Sequence, residues 1–171
     1  PFSHGLSYTT FCYQDLAIRS AAGEVPTGGE VPAEGEVPAD GSGPVRIATD
    51  GAADISCTLR NTGDLPGAEV VQLYLRDPVA QVVRPVRYLA GFARVELAPG
   101  QARRVTFRVH ADRTAFCGRD GNRVVEAGLI EAEIGASAAD IRLRGSLTLT
   151  GQERAAGSDR VLTTPVTVTG A

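Results

Sequence analysis

The chain has 171 residues, 43% of them hydrophobic, and a net charge of −3, which suits one domain with a real core. All 17 basic residues are Arg; the five acids between Ala21 and Pro44, taken from the 20 acids in total, leave fifteen against them, so the rest of the chain is near neutral and offers no basic stripe for nucleic acid. No apolar run approaches membrane-spanning length and no signal peptide is visible, while the absence of Met points to a piece of something longer, which leaves localisation open between cytoplasm and secretion.

The first strand is predicted from Ser7 to Arg19, with Phe11, Tyr13, Leu16 and Ile18 as its candidates for burial. Residues 21–45 follow as an insert in which Gly-Glu-Val-Pro recurs from Gly23, Gly29 and Gly35. Without aromatics and with regular prolines, this segment cannot bury enough apolar surface to offset its ordering entropy, so it reads as an extended, disordered loop. Strands then come at sandwich spacing: Ala53–Asn61, Ala68–Asp77, Arg87–Leu97, Ala102–Val109, Arg123–Glu126, Leu129–Ala136 and Ile141–Thr150.

Period-2 alternation carries these assignments. Val71, Leu73 and Leu75 point one way, and Val70, Gln72, Tyr74 and Arg76 the other. Val105, Phe107 and Val109 alternate with Arg104, Thr106 and Arg108 in the same manner. In the last strand Gly145 interrupts an inward row of Ile141, Leu143, Leu147 and Leu149, at a bulge or a close packing point. Asn61-Thr-Gly63, Pro99-Gly100 and Asp120-Gly121-Asn122 supply the turns, with glycine for φ > 0. The tail, 151–171, ends in VLTTPVTVTGA, a candidate edge strand. The fold class is therefore all-β: an immunoglobulin-like, fibronectin type III-like antiparallel sandwich of about seven strands.

Three cysteines, Cys12, Cys57 and Cys117, form an odd set without metal-ligand spacing. Cys57 shares a face with Ile55 and Leu59 and reads as a core residue; a Cys12–Cys57 bridge is the weaker alternative to free thiols.

The string NTGDLPGAEVVQLYLRDPVAQVVRPVRYLAGFARVELAPG, from Asn61 to Gly100, closely resembles the C-terminal fibronectin type III-like domain of family 3 glycoside hydrolases, the β-glucosidase and β-xylosidase family. PFSHGLSYTTF, from Pro1 to Phe11, is similar to the segment by which that family's chain enters this domain. Residues 1–20 are then a lead-in and first strand, 46–150 the remainder of the sandwich. Ser3, in place of the family's usual Gly, the pair Cys117-Gly118 and the insert all depart from the pattern. The resemblance implies a fragment of a retaining β-glucosidase-type enzyme whose catalytic Asp and acid/base residue lie on upstream domains, so no catalytic residue, cofactor or metal is expected here.

The residues agree. His4 and His110 have no metal or nucleophile spacing, and His110 falls in the outward, solvated row of its strand. Among the carboxylates, Asp77 precedes a proline while Asp112 and Asp120 sit in turns. Glu131 and Glu133 share a strand face roughly 7 Å apart at Cα, a spacing a carboxylate pair could use. A solvated face explains them better.

Two partners are candidates. Carbohydrate would need an exposed aromatic platform, for which Tyr74 and Tyr88 are available but Trp is not. The catalytic domains of the parent glycosidase would need a docking surface, and the loop from Arg76 to Arg87 offers stiff prolines, Arg forks and the apolar Val79, Val82 and Val83. An ordinary loop with self-contained ion pairs is the alternative; the resemblance tips the reading to docking, with Tyr74, Arg76, Asp77, Arg84 and Arg87 as the candidate contacts.

Overall fold

Alternating apolar residues give strands that can each bury one face, and two sheets stack to bury them together. The computed structural model describes residues 7–21 and 45–171. The lead-in residues Phe2, Ser3 and His4 and the Gly-Glu-Val-Pro insert lie outside the described residues.

Seven long strands make the body: β1 (Phe11–Ser20), β3 (Ala52–Asn61), β4 (Gly67–Arg76), β5 (Tyr88–Leu97), β6 (Ala102–His110), β9 (Gly128–Ser137) and β10 (Asp140–Thr150). Five short ones complete it: β2 (Val45–Ala48), β7 (Phe116–Cys117), β8 (Arg123–Val125), β11 (Arg154–Ala155) and β12 (Val166–Gly170). One sheet runs β1-β3-β6-β12, the other β2-β10-β9-β4-β5, and a small third sheet runs β11-β8-β7. Pairing is antiparallel except between β2 and β10. The tail thus supplies the expected edge strand, with β12 against β6.

Ile55, Cys57 and Leu59 of β3, with Val105 and Phe107 of β6, meet Val71, Leu73 and Leu75 of β4 and Ile134 of β9 across the sandwich, nearly all fully buried. Each large apolar side chain so placed stabilises the fold by about 1.5–3 kcal/mol. Cys57 is unbridged, as are Cys12 and Cys117, and burial pushes its thiol up to about 11.

β1 changes phase midway. Its register shifts between Gln14 and Ala17, and Asp15 takes φ 55°, so odd-numbered Phe11 and Tyr13 and even-numbered Leu16 and Ile18 all reach the core cluster. Gly145 is the packing point: a Cβ there would lie 2.9 Å from Leu16 Cδ2 and 3.0 Å from Ile18 Cδ1. The bulges of β10 fall elsewhere, between Asp140 and Leu143.

Several sequence expectations change. Gly100 and Gly121 have the positive φ that turns need (72° and 82°), whereas Gly63 is not among the positive-φ glycines. Gly63 is required for space instead, because a Cβ would sit 2.3 Å from Thr9 Oγ1. That hydroxyl donates to Asn61 Oδ1 at 2.7 Å, while Asn61 Nδ2 donates to the Leu65 and Leu97 carbonyls, so a fully buried Asn ties the turn to the first strand.

His110 is another. It is only partly exposed: its Nδ1 accepts from the Asp112 amide at 3.1 Å, capping a 3-10 turn over Ala111–Thr114. Asp112, expected in an ordinary turn, is 7% exposed. It accepts from Arg154 and from the Val161 amide, fastening the tail to the end of the sandwich.

Candidate docking site

The loop joining β4 to β5 begins where Asp77 caps its own turn, accepting the Val79 amide at 3.2 Å. Its other carboxylate oxygen meets Arg84 Nη1 at 2.5 Å, with the two side chains 9% and 10% exposed. Arg84 Nη2 donates to the Thr114 carbonyl at 2.9 Å, and the guanidinium lies 4.6 Å from the Phe116 ring centroid and 5.9 Å from that of Tyr88. A planar cation can satisfy a carboxylate, a carbonyl and two ring faces at once, which an ammonium cannot. Tyr88 donates its hydroxyl to the Arg113 carbonyl at 2.5 Å. Burial, partly offset by the Arg84 and Arg113 charges, pushes its pKa up to about 12, so it remains a donor.

The other polar groups of the loop are also engaged within the chain. Arg76 pairs with Glu131 at 2.8 Å. Arg87 pairs with Glu133 at 3.1 Å and donates to the Ala138 carbonyl. Gln81 donates to Glu153 and accepts from the Arg119 amide. Tyr74 is 5% exposed and donates to Gln72, itself fully buried on the outer face of the sheet.

The structure therefore gathers Arg76, Asp77, Arg84 and Arg87 around one loop, each paired within the chain: Asp77 and Arg84 are buried as its anchor, Arg87 is partly buried and Arg76 stays 41% exposed. Tyr74 is a packed residue and not a solvent-facing platform. The large side chains the loop exposes most are aliphatic: Val79, Val83 and Val86 are 82%, 103% and 70% exposed. Val83 and Val86 line an open groove of about 410 Å³ together with Pro78, Val82 and Pro85 and the polar Arg76, Asp77, Gln81 and Arg84. Val86 escaped the sequence reading, as did Thr114 and Phe116, which hold Arg84 from thirty residues away.

The two carboxylates have different surroundings. Glu131 is half-buried against Arg76, and Glu133, expected to be solvated, is 3% exposed between Arg87 and Arg144. Each carboxylate is matched to guanidinium at 3.1 Å or closer, which suits anchoring rather than proton transfer. Among the described residues, no three His, Cys, Asp or Glu side chains gather as a metal site, and no helix is long and apolar enough to cross a membrane.

Two stacked sheets with this strand order define a fibronectin type III-like β-sandwich, and residues 69–138 match the fibronectin type III-like domain family. The chain is 39% identical over 152 residues to Probable beta-glucosidase D of Aspergillus niger, covering 87% of this chain and 19% of that protein. To Beta-xylosidase of Formosa agariphila it is 35% identical over 137 residues, covering 80% of this chain and 16% of that one. Among solved structures, the GH3 beta-glucosidase of Bifidobacterium adolescentis superposes with a TM-score of 0.67 at 28% identity, over 87% of this chain and 18% of the other. The chain belongs to the fibronectin type III-like domains that family 3 glycoside hydrolases carry, and it spans less than a fifth of the relatives' length.

Proposed function

We propose that the chain is the accessory domain of a β-glucosidase-like family 3 glycoside hydrolase and that it buttresses catalytic domains elsewhere on the same polypeptide. The observation that carries this reading is the pairing of a small share of each relative with a loop whose polar groups are spent internally and whose valines face out. Three exposed valines on a stiff base suit an apolar protein surface, where each gains about 1.5–3 kcal/mol on full burial. They do not suit a sugar, which needs free planar polar groups around a flat ring. Arg84 and Asp77 act as the clamp that holds the valines in place; Arg76, Arg87 and Tyr74 support the strands beneath. Hydrolysis of β-linked sugars belongs to the catalytic domains, and this chain alone is expected to leave a chromogenic β-glucoside intact.

The test is a triple substitution, Val79→Glu/Val83→Glu/Val86→Glu. In the isolated chain these side chains touch mostly water, so the melting temperature should hold within about 2 °C. In the full-length polypeptide the same change should lower both melting temperature and β-glucosidase activity. An unaltered full-length enzyme would remove the loop from the docking surface.

A further inference from the structure

A sheet edge is a row of unpaired backbone donors and acceptors, and most proteins guard it with charge, proline, a bulge or a short length. Among the described residues the two large sheets present four edges, β1, β12, β2 and β5. β1 carries the bulge at Asp15 and the charges of Asp15 and Arg19. β2 is four residues long with Arg46 exposed. β5 carries the Arg94–Glu96 pair, and the segment at Thr164 crosses Gly91 so closely that a Cβ would lie 3.0 Å from Thr164 Cγ2. β12, five residues long, carries no charge, no proline and no bulge. It reads Val-Thr-Val-Thr-Gly, pairs with β6 in unbroken register and is exposed from Thr167 onward, with Val168 44% exposed.

The hydrogen-bond phase of that edge is fixed. The Arg108 amide donates to the Pro165 carbonyl at 2.9 Å. With Thr167 opposite Thr106 and Thr169 opposite Arg104, antiparallel geometry turns the backbone groups of Pro165, Thr167 and Thr169 toward β6. Those of Val166, Val168 and Gly170 therefore point away from the sheet. None of the three is proline, and they are evenly spaced about Val168.

We propose that β12 is a self-pairing edge: it joins β12 of a second copy of this chain, antiparallel, about a two-fold axis through Val168. The arrangement is self-complementary. Val168 faces its own equivalent and Val166 faces Gly170 of the second copy, so every outward backbone group of the strand finds a partner, about six ladder bonds in all. Thr167 lies opposite Thr169 of the second copy, a favourable and uncharged cross-strand pair. The contact is isologous and closes at two copies, fusing the two four-stranded sheets into one. It lies on a sheet edge rather than on the Val79–Val86 loop, so it stands independently of the docking reading. Five residues of edge bury much less than a standard interface of roughly 1,600 Å², so the association is weak and depends on concentration.

Sedimentation velocity of the 171-residue chain should show a monomer at about 10 µM and growing dimer toward about 1 mM. Val168→Pro removes an outward amide without touching the β6 ladder, and should abolish the dimer while β-sheet circular dichroism is retained. A cross-linking pair decides the matter even if that variant unfolds. In a Cys12→Ser/Cys117→Ser background, Val168→Cys places two thiols on Cα atoms about 5.5 Å apart, within disulfide reach. Thr167→Cys places them about 8 Å apart, beyond it. Mild oxidation should cross-link the first at least about tenfold more than the second. Equal cross-linking of both, or a parent chain that is monomeric across the whole range, would overturn the proposal.

Discussion

Replacing Arg84 by Ala removes the one side chain that satisfies Asp77, the Thr114 carbonyl and the faces of Phe116 and Tyr88 together. The Asp77 carboxylate, 9% exposed, then keeps only the Val79 amide as a partner. Leaving a buried charge without its counterion costs about 3–5 kcal/mol, which for a chain of this length lowers the melting temperature by about 8–16 °C. Removing both partners is different, because no orphan charge remains: Arg84→Ala/Asp77→Ala should cost about 2 kcal/mol, less than Arg84→Ala alone. Arg84→Lys keeps the charge but loses the fork and the ring contacts, and should fall between wild type and Arg84→Ala. Urea unfolding followed by far-ultraviolet circular dichroism measures all three, tryptophan fluorescence being unusable in a chain without Trp. A cost below about 1 kcal/mol for Arg84→Ala, or a double variant as costly as the two singles summed, would refute the idea that Arg84 and Asp77 form one buried clamp.

Asp112 should govern acid stability. Burial alone would raise its pKa, but hydrogen bonds from Arg154 and the Val161 amide, with the Arg154 charge, hold the carboxyl below its usual range. Its contribution is therefore complete above the ordinary Asp value of about 3.9 and is lost as pH falls below it, so Asp112→Asn should flatten the acid limb of a stability–pH profile. An unchanged limb would show that other carboxylates control it. Gly135 of β9 and Gly145 of β10, both closely packed, should differ. A Cβ on Gly135 meets backbone, with Ile141 Cα at 2.8 Å, whereas one on Gly145 meets only the ends of Leu16 and Ile18. Gly135→Ala should cost roughly 3 kcal/mol and Gly145→Ala under about 1.5 kcal/mol in the same urea assay; equal costs would contradict the geometry.

Long strands were legible because alternation is local. The rows Val71, Leu73, Leu75 and Val105, Phe107, Val109 predict their own burial, and both are buried. The phase change of β1 was written in the sequence as Phe11 and Tyr13 followed by Leu16 and Ile18, although only the bulge at Asp15 explains how they share a face. β2 was not legible: four residues offer too short a pattern, and its parallel partner β10 lies a hundred residues on. Outer-face burial was likewise hidden. Gln72 and Tyr74 occupy the polar row of an alternating strand, yet contacts with the Ala136 carbonyl and with each other bury them. At the loop, residue types pointed to an Arg-bearing surface, but which side chains turn inward depended on Thr114 and Phe116, and proximity of that kind leaves no local trace. The valines, read as accompaniment, became the exposed surface.

Whether this sandwich serves a longer glycosidase is tested most directly by the coding DNA immediately ahead of Pro1. An accessory role predicts an open reading frame continuing in phase into catalytic domains of a family 3 glycoside hydrolase. A stop codon, or unrelated sequence in that frame, would contradict it and leave a free-standing sandwich whose sugar binding would have to be measured directly.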